Sequence, residues 1–267
     1  MANLTDPQFL KEHQYRRADN LEARIRLHRD YSVQAQDWQR WVFDHLALAG
    51  GERVLEVGCG PASLWRENVD RLPAGISPVL GDLSWGMIDQ ARQNLAGLAG
   101  FRFLTLDTQS IPFSKTHFDV VIANHMLYHV PDLRQAVGEL RRVIQPGGRL
   151  FAATNGTSHM QRLFDMVYEF DPRAPKAEDF QKRFCLENAV EVLGQAFEHV
   201  KVIPFESRLE VTEVRPLLDY ILSMSSFWGV IDRSAGNQAR LEQFLAEKMA
   251  VEGKIVIPKA AGLAIAD

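Results

Sequence analysis

The stretch that decides the fold is Val54–Trp65, which reads VLEVGCGPASLW. Its apolar beginning predicts a buried strand, its two glycines predict a tight turn, and its end predicts the start of a helix. Because glycine has no side chain, such a turn brings backbone N–H groups close to a ligand. The stretch therefore predicts a strand–turn–helix unit that binds a ligand.

Strands and helices alternate regularly after this stretch. In the fourth predicted strand, the run Val120–Ala123 has the unbroken apolar character of a strand buried on both faces. The predicted strands are 53–58, 77–84, 101–107, 118–126, 148–154, 199–207 and 254–266. Their alternation with helices predicts an α/β fold with a doubly wound, mostly parallel sheet. Ligands in such sheets bind beyond the carboxyl ends of the strands, where the strand order reverses.

Helical spacing of apolar residues occurs on both sides of the predicted strands. Residues 8–49 are predicted to be helical, with Ser32 as an N-cap between two helical segments. The other predicted helices are 62–73, 85–98, 132–145, 158–170, 186–197, 214–224 and 239–251. The alternation loosens after Asn155, but no change of composition marks a separate domain there.

The composition of the 267 residues is that of an ordinary globular protein, with 46% hydrophobic and 24% charged residues. The net charge of −4 gives no electrostatic footprint for nucleic acid, so no nucleic-acid partner is expected. Cys59 and Cys185 form no CxxC or Cys/His cluster, which argues against a zinc site or a disulfide framework. No signal-peptide core and no apolar run of about 18 residues occurs. The sequence therefore predicts a cytoplasmic protein without a membrane partner or a bound metal.

Three classes of ligand are held at glycine turns of this shape: dinucleotides, nucleoside triphosphates and S-adenosylmethionine. The dinucleotide fingerprint needs a glycine at its sixth position, which is Ser63 when counted from Gly58. A nucleoside-triphosphate loop needs Gly-Lys-Ser/Thr, which does not follow. The turn alone is weak evidence, so the neighbouring residues have to discriminate between the three ligands.

Acidic residues stand near the ends of the first three predicted strands. Glu56 would be costly to bury as an unpaired ion, and the ammonium of an amino-acid-like ligand would compensate it. Asp82 is placed to accept both ribose hydroxyls, and Asp107, beside Thr108, to accept an adenine amino group. The helix start after Gly60 offers free N–H groups to a carboxylate. Together these groups describe S-adenosylmethionine, although either aspartate alone is more typical of a helix N-cap.

At these residues the chain resembles the class I S-adenosylmethionine-dependent methyltransferases. The segments similar to the successive motifs of that family are VLEVGCGPA, LGDLSWGMIDQAR, LDTQSIPFSKTHFDVVIANHMLYHV and LRRVIQPGGRLFAAT. The resemblance covers residues 31–154 and implies a Rossmann-like, seven-stranded sheet whose last strand runs antiparallel beside the sixth. One departure is Ala62, where many members carry a third glycine.

The resemblance implies S-adenosyl-L-methionine as the cofactor and S-adenosyl-L-homocysteine as the product. The residues that it assigns to cofactor binding are Glu56, Gly58, Cys59, Gly60, Asp82, Leu83, Met87, Asp107, Thr108 and Asn124. Two of them have simpler interpretations as well. Cys59 is typical of a small buried filler, and Met87 is equally typical of a core residue.

Methyl transfer from a sulfonium is an in-line displacement, so the protein chiefly has to align donor and acceptor. Positioning supplies about 7–11 kcal/mol of barrier reduction, and a general base adds roughly 10²–10⁴-fold where the acceptor loses a proton. The candidate catalytic residues are His125 and His129, and His125 is favoured because it is nearer the strand end. The alternative interpretation is that these histidines cap the next helix. A metal site is disfavoured because HMLYH lacks the glutamate of HExxH.

The segments on either side of the motifs are candidates for the acceptor site. In analogy with the family, residues 1–50 are interpreted as a helical lid on a domain formed by residues 51–267, and parts of 156–200 and 208–252 as acceptor-site insertions. The residues predicted to contact the acceptor or to close the lid are Tyr15, His28, Tyr31 and Tyr128. The alternative is an amphipathic helix that only packs on the sheet. Aromatic residues in the insertions favour a fairly apolar small acceptor.

The leading hypothesis is a methyltransferase that acts on an O, N or activated C atom of a small molecule. Methylation of RNA or protein is the alternative within enzymes, and the acidic balance counts against it. Asn124 is followed by His-Met, whereas members that methylate amides and bases carry Pro-Pro-Tyr/Phe. A third hypothesis is a non-catalytic protein that binds S-adenosylmethionine.

Overall fold

One seven-stranded sheet organises the protein. The strands are β1 Arg53–Val57, β2 Ser77–Asp82, β3 Arg102–Thr105, β4 Phe118–Asn124, β5 Ile144–Asn155, β6 Val200–Val211 and β7 Ile255–Ala266. Their order is β3-β2-β1-β4-β5-β7-β6, and β7 runs antiparallel to both β5 and β6, whereas the other neighbouring pairs are parallel. The predicted doubly wound sheet with an antiparallel last strand is confirmed. Strand order reverses at β1, which lies between β2 and β4.

Helices cover both faces of this sheet in the computed structural model, which describes residues 18–34, 36–175 and 183–267, with the backbone alone at 18–22, 226 and 227. The described helices are α1 Ala18–Tyr31, α2 Trp38–Leu46, α3 Ser63–Arg66, α4 Trp85–Asn94, α5 Leu133–Val143, α6 Gln161–Phe170, α7 Ala189–Leu193, α8 Val214–Ser223, α9 Ser225–Trp228 and α10 Ala235–Glu252. Because strand side chains alternate between faces, Leu55 and Val121 pack with α5 and α7, whereas Val54 and Ile122 pack with α2 and α4.

The strands β6 and β7 extend beyond the rest of the sheet. The pairing of β7 with β5 ends at Asn155 and Ala261, whereas its pairing with β6 continues to Val211 and Ile255. Residues 206–211 and 255–260 therefore form a two-stranded ribbon past the carboxyl end of β5. A helical cap made of α1, α6, α8 and α10 packs on this ribbon through a core of its own. Members of that core are Leu27, Leu163, Leu217, Leu241 and Ile257.

The helix predicted over 62–73 is wrong in extent. Its α-helical part is the four-residue α3, and a 3₁₀ turn follows at Val69–Arg71. The side-chain amide of buried Asn68 donates to the backbone oxygens of Leu64, at 2.7 Å, and Gln39, at 3.2 Å. Such side-chain bonds to the backbone compete with continuation of a helix. A helix this short adds little dipole to its amino terminus, which weakens the predicted role of that terminus in holding a carboxylate.

The predicted N-cap at Ser32 is also wrong. The second helix begins at Trp38, and the carboxylate of Asp37 caps it by accepting from the backbone N–H groups of residues 39 and 40 at 2.8 and 3.1 Å. Ser32 follows α1 and forms a β-bridge with Leu209 of β6. Of the predicted helix 8–49, residues 8–17 lie outside the described residues. The helices predicted at 132–145 and 186–197 are shorter than expected, and Ile144 is already extended, because it pairs with Phe118.

Candidate functional site

The glycine turn lies at the carboxyl end of β1, where the strand order reverses. Gly58 and Gly60 have positive φ angles of 66° and 53°, which residues with a side chain adopt at a cost. A Cβ atom at Gly58 would lie 2.7 Å from the Cβ atom of Met126, so the position has no room for a side chain. At Gly60 a Cβ atom would meet nothing within 4 Å. The turn is therefore closely packed on one side and open on the other, as a ligand cradle requires.

Glu56 is a buried acid beneath this turn, with 2% of its surface exposed. Its Oε2 accepts a hydrogen bond from the indole Nε1 of Trp65 at 2.6 Å, and its Oε1 accepts one from Nδ2 of Asn124 at 3.4 Å. Burial raises the pKa of Glu56 to about 8, and the charge of Asp82 adds to this, while the two hydrogen bonds act in the opposite direction. A cation beside Glu56 would restore its charged form.

Asn124 supplies a second acceptor at the same place. Its Oδ1 is buried and has no hydrogen-bond partner, although its Nδ2 is bonded to Glu56. A buried carbonyl oxygen without a donor costs free energy. An ammonium group between Asn124 and Glu56 would donate to both residues, so the pair fits a ligand with a primary ammonium.

Asp82 fastens the glycine turn to the end of β2. Its Oδ2 accepts from the N–H of Gly60 at 3.0 Å, and its Oδ1 accepts from the N–H of Ser84 at 2.8 Å. Burial raises the pKa of Asp82, against the effect of these bonds. Each oxygen keeps a second lone pair, which leaves the carboxylate able to accept ligand hydroxyls.

Three other predicted cofactor residues line the same region. Cys59 is buried, its N–H donates to the oxygen of Gly81 at 3.0 Å, and burial raises the pKa of its thiol well above the ordinary value. A thiol of this kind is a poor nucleophile. Met87 is 4% exposed on α4, and Leu83 is half-buried.

Asp107 lies beyond β3 and closes a turn. Its Oδ1 accepts from the N–H of Gln109 at 2.9 Å, and its backbone oxygen accepts from Ser110. Thr108 beside it is 5% exposed. The structure thus brings Glu56 and Asp82 together at the turn, while the role predicted for Asp107 and Thr108 in holding adenine stays a prediction.

His125 continues the site on the other side of β1. It follows β4 with a positive φ of 52°, and its N–H donates to the oxygen of Ala153 at 3.0 Å. Its ring lies 5.1 Å from the ring of Trp38. Burial, with smaller contributions from His129 and Lys259, lowers the pKa of His125 to about 4. The imidazole is therefore neutral at pH 7.

His129 and Tyr128 lie in the 3₁₀ turn Leu127–His129 that follows. Their rings are 4.5 Å apart, and Tyr128 packs against the core shared with α5. His129 is close enough to affect the charge of His125. Neither residue caps α5, because Asp132 occupies that position.

The residues predicted for the lid are placed differently from one another. His28 of α1 lies 6.1 Å from the ring of His159 and 6.0 Å from the ring of Tyr220. Tyr31 interacts with Glu213 instead, and burial together with this acid raises the pKa of its hydroxyl. Tyr15 lies outside the described residues. Of the lid residues, His28 is the one whose ring contacts the rings of His159 and Tyr220.

Comparisons with known proteins identify the family. The family model described as "Methyltransferase domain" matches residues 55–152, which include the glycine turn, Asp82 and His125. This match and the fold support a class I S-adenosylmethionine-dependent methyltransferase. The family uses S-adenosylmethionine, and the ammonium site at Glu56 and Asn124, with the open glycine turn and Asp82, fits that cofactor.

Relatives of this methyltransferase include enzymes with different acceptors. It is 30% identical over 161 residues to a malonyl-[acyl-carrier protein] O-methyltransferase of Enterobacter lignolyticus, with 59% of this chain and 60% of the relative covered. It is 30% identical over 146 residues to a ubiquinone/menaquinone biosynthesis C-methyltransferase of Ectopseudomonas mendocina, with 52% and 57% covered. The match thus spans less than two thirds of either relative.

A solved structure shows the same fold. Phosphoethanolamine N-methyltransferase 2 of Haemonchus contortus, in complex with S-adenosyl-L-methionine, has a TM-score of 0.59 and 16% identity, and the match covers all of this chain and 60% of the other. No membrane-crossing helix is found in the described part of the methyltransferase, since none is both long and apolar enough.

Several residues of the site were missed by the sequence analysis: Trp38, Trp65, His159, Tyr220 and Lys259. A signal existed for Lys259, because it is the charged residue in the middle of the predicted apolar strand 254–266. No motif marks His159 or Tyr220. The histidines are not arranged as metal ligands: within the described ranges, no group of three or more His, Cys, Asp or Glu residues could hold a metal ion.

Proposed function

We propose that this protein transfers a methyl group from S-adenosylmethionine to a small-molecule acceptor bound beyond the carboxyl ends of β4 and β5, beside the amino-terminal half of β7. The observation that carries the proposal is the adjacency of Asn124 and His125. The amide of Asn124 bonds Glu56 in the ammonium site, and the ring of His125 lies against Trp38, on the side of β5 and β7. One peptide bond therefore joins the residues proposed to hold the donor and to meet the acceptor.

The residues around the glycine turn would bind and orient the cofactor. When bound, S-adenosylmethionine supplies a methyl group that its positive sulfur has already activated. Glu56 and Asn124 would accept hydrogen bonds from the ammonium, and Asp82 would accept them from the ribose hydroxyls. Gly60 would leave room for the part of the cofactor between its ammonium and its ribose. Fixing the position of the donor in this way would supply most of the rate enhancement, because alignment lowers the activation barrier by about 7–11 kcal/mol in well-oriented reactions.

His125 is proposed to take a proton from the acceptor where one has to leave. Burial lowers the pKa of His125 to about 4, so its imidazole is neutral at pH 7, and a negative acceptor beside it would raise its basicity. The bond from its backbone N–H to the oxygen of Ala153 fixes the main chain at His125, and its ring packs against the ring of Trp38. His129, whose charge acts on His125, would make protonation of His125 less favourable in the absence of a negative acceptor.

The helical cap supports a small acceptor. His28 of α1 contacts the rings of His159, which follows β5, and of Tyr220 in α8, so these residues would cover an acceptor bound beyond the carboxyl end of β5. A covered site excludes water and large substrates alike. By their names, one relative is an O-methyltransferase and the other a C-methyltransferase, which favours an oxygen or a carbon as the methylated atom.

The test is transfer of labelled methyl groups by the purified protein to a panel of phenols, carboxylates and amines. We expect transfer to at least one compound, with loss of transfer in Glu56→Gln. Tight cofactor binding without transfer to any compound would instead indicate a binding protein. Absence of cofactor binding by calorimetry would show that the glycine turn has been misinterpreted.

A further inference from the structure

Four basic side chains from four separate segments meet under the helical cap, and we refer to them as the basic cluster: His28, His125, His159 and Lys259. His28 comes from α1, His125 follows β4, His159 follows β5, and Lys259 lies on the ribbon of β7. The rings of His28 and His159 stack at 6.1 Å with 24° between their planes. The charges of His125 and Lys259 both act on His159 and on His28. The segments converge because β7 overhangs the end of β5.

Each member is enclosed by protein and still reachable. All four residues are half-buried, so none of them is sealed in the core. Burial nevertheless lowers the pKa of His159 to about 3 and that of Lys259 to about 8, and it lowers the pKa of His28 well below its ordinary value. A bound anion would reverse these shifts, since a nearby negative charge favours the protonated form.

Among the described residues, the charged groups next to the cluster are mainly basic as well. Arg24 of α1 adds a further positive charge near His28, and His129 adds an imidazole near His125. Tyr220 of α8 presents its ring edge to His28. The acid that acts on Lys259 is Asp37, and its carboxylate already caps α2. Three imidazoles that burial keeps neutral beside a partly desolvated lysine are costly for stability alone, and the described residues include no metal-ligand group that would explain them.

Hydrogen bonds fix the two members nearest the ribbon. Lys259 Nζ donates to the hydroxyl of Ser32 at 3.3 Å, and that hydroxyl is 3.1 Å from the hydroxyl of Ser207. Nδ1 of His159 is bonded to the backbone oxygen of Ala260 at 2.9 Å, and a ring bonded there must be the Nδ1–H tautomer. Lys259 keeps two further donors, and Nε2 of His159 becomes a donor once the ring is protonated.

We infer that the basic cluster binds the acid group, a carboxylate or a phenolate, of the methyl acceptor. This inference rests on the proposed function, because it names the substrate class of the same site. Lys259 and His159 would hold the acid, and His125, next to Asn124, would stand nearest the donor. The wall beside His125 is aromatic: Trp38 lies 5.1 Å from His125 and 5.2 Å, edge-on, from Phe205. A flat ring that carries the acid group fits this wall best.

The experiment compares acids with neutral analogues of the same shape. Binding of 4-hydroxybenzoate and 4-hydroxybenzamide, and of 4-nitrophenol and 4-nitroanisole, is measured by calorimetry in the presence of S-adenosylhomocysteine. We expect at least one acid to bind about tenfold or more tightly than its neutral partner, with uptake of a proton from the buffer. The first pair reports on carboxylates and the second on phenolates.

Three variants connect the preference with the cluster. In Lys259→Met the affinities for the acid and its neutral partner are expected to differ by less than about twofold. Lys259→Arg, which keeps the charge, is expected to retain the preference for the acid. The matched control is Lys254→Met, which removes the same charge from the residue just before β7, where Lys254 is exposed and paired with Glu210. Unchanged affinity for S-adenosylhomocysteine shows that each variant is folded.

Two results would overturn the inference. One is equal binding of acids and neutral partners by the unmodified protein, absence of binding included. The other is a preference that survives in Lys259→Met. Neither result depends on methyl transfer, so the inference and the proposed function fail separately: an acid-binding protein that transfers no methyl group contradicts only the proposed function.

Discussion

The two halves of the sheet's carboxyl edge bury different ionisable groups: carboxyl groups on one side and basic groups on the other. On the side of β1 and β2, which we call the acidic half, Glu56 and Asp82 are buried carboxyl groups with raised pKa values. On the side of β4, β5 and β7, which we call the basic half, His125, His159 and Lys259 have lowered pKa values. Burial is the largest cause on both sides. The difference supports the proposal that each half binds a ligand group of opposite charge.

The boundary between the halves coincides with the point where the strand order reverses. Asn124 lies on one side of this boundary, bonded to Glu56, and His125 lies on the other, against Trp38. Reversal of order separates the loops after β1 and β4 and so opens a crevice there. A donor on the acidic half and an acceptor on the basic half would therefore meet at this crevice.

The largest effect is expected on the acidic half from Glu56→Gln. The change keeps the shape and the bond from Trp65 but removes the charge that would pair with an ammonium. Loss of one partner of a buried ion pair costs about 3–5 kcal/mol, so S-adenosylmethionine should bind at least about 10²-fold more weakly by calorimetry. Binding of the acid probes to the basic half serves as the control and should not change. A loss smaller than about threefold would show that Glu56 does not hold the ammonium.

The next effect concerns the boundary itself. His125→Asn is the suitable change, because asparagine tolerates the positive φ angle better than alanine. Turnover should fall about 10²-fold, as expected for loss of a general base, while the dissociation constant of S-adenosylmethionine stays within about twofold. The measurement is a rate at saturating concentration of an acceptor found with the panel. Turnover equal to that of the unmodified protein would remove His125 from the mechanism.

A smaller effect is expected on the stability of the basic half in acid. Burial lowers the pKa of His159 to about 3, whereas an unfolded histidine titrates near 6.5. Between these values the unfolded state binds more protons, so stability falls as the pH falls. The free energy of unfolding, measured with urea, should fall between pH 6.5 and 5 in both proteins. The fall should be about 1.5 kcal/mol smaller in His159→Gln than in the unmodified protein.

The control for this measurement is His199→Gln, which changes a histidine whose side chain is 77% exposed. Its unfolding free energy should follow the pH as that of the unmodified protein does. Parallel pH profiles for the unmodified protein and His159→Gln would mean that the ring of His159 is not held neutral by the fold.

The smallest signal is the proton that cofactor binding releases. Because burial raises the pKa of Glu56 to about 8, most of this carboxyl is protonated at pH 7, and an ammonium beside it would drive the proton off. Calorimetry in phosphate and Tris buffers should show release of somewhat less than one proton with S-adenosylmethionine, opposite in sign to the uptake expected with acid probes. Identical heats in the two buffers would contradict this assignment.

The acidic half was predictable from the sequence because its parts are local. The apolar pattern of each strand fixes where the strand ends, and Glu56, Gly58 and Asp82 lie at or next to those ends. The partner of Glu56 was not predictable in the same way. Trp65 reaches it only because α3 is a short helix that packs the indole under the turn.

The basic half was not predictable beyond His125 and His28. Its members are distant in sequence, and their meeting depends on the register of β7 against β6, which places Lys259 opposite Ser207. No local periodicity encodes that register. The same holds for His159, which reaches the cluster because its chain turns under the cap and bonds Ala260 of the ribbon.

The overhang of β6 and β7 has a consequence for how new specificities arise in this architecture. The segment 212–254 joins the free ends of the two overhanging strands, and none of the pairs within β1–β5 involves it. Insertions or substitutions in this segment would change the proposed acceptor site without changing the residues proposed to bind the cofactor. Sequence differences among close homologues should therefore concentrate in this segment and be fewer at the glycine turn and at Asp82.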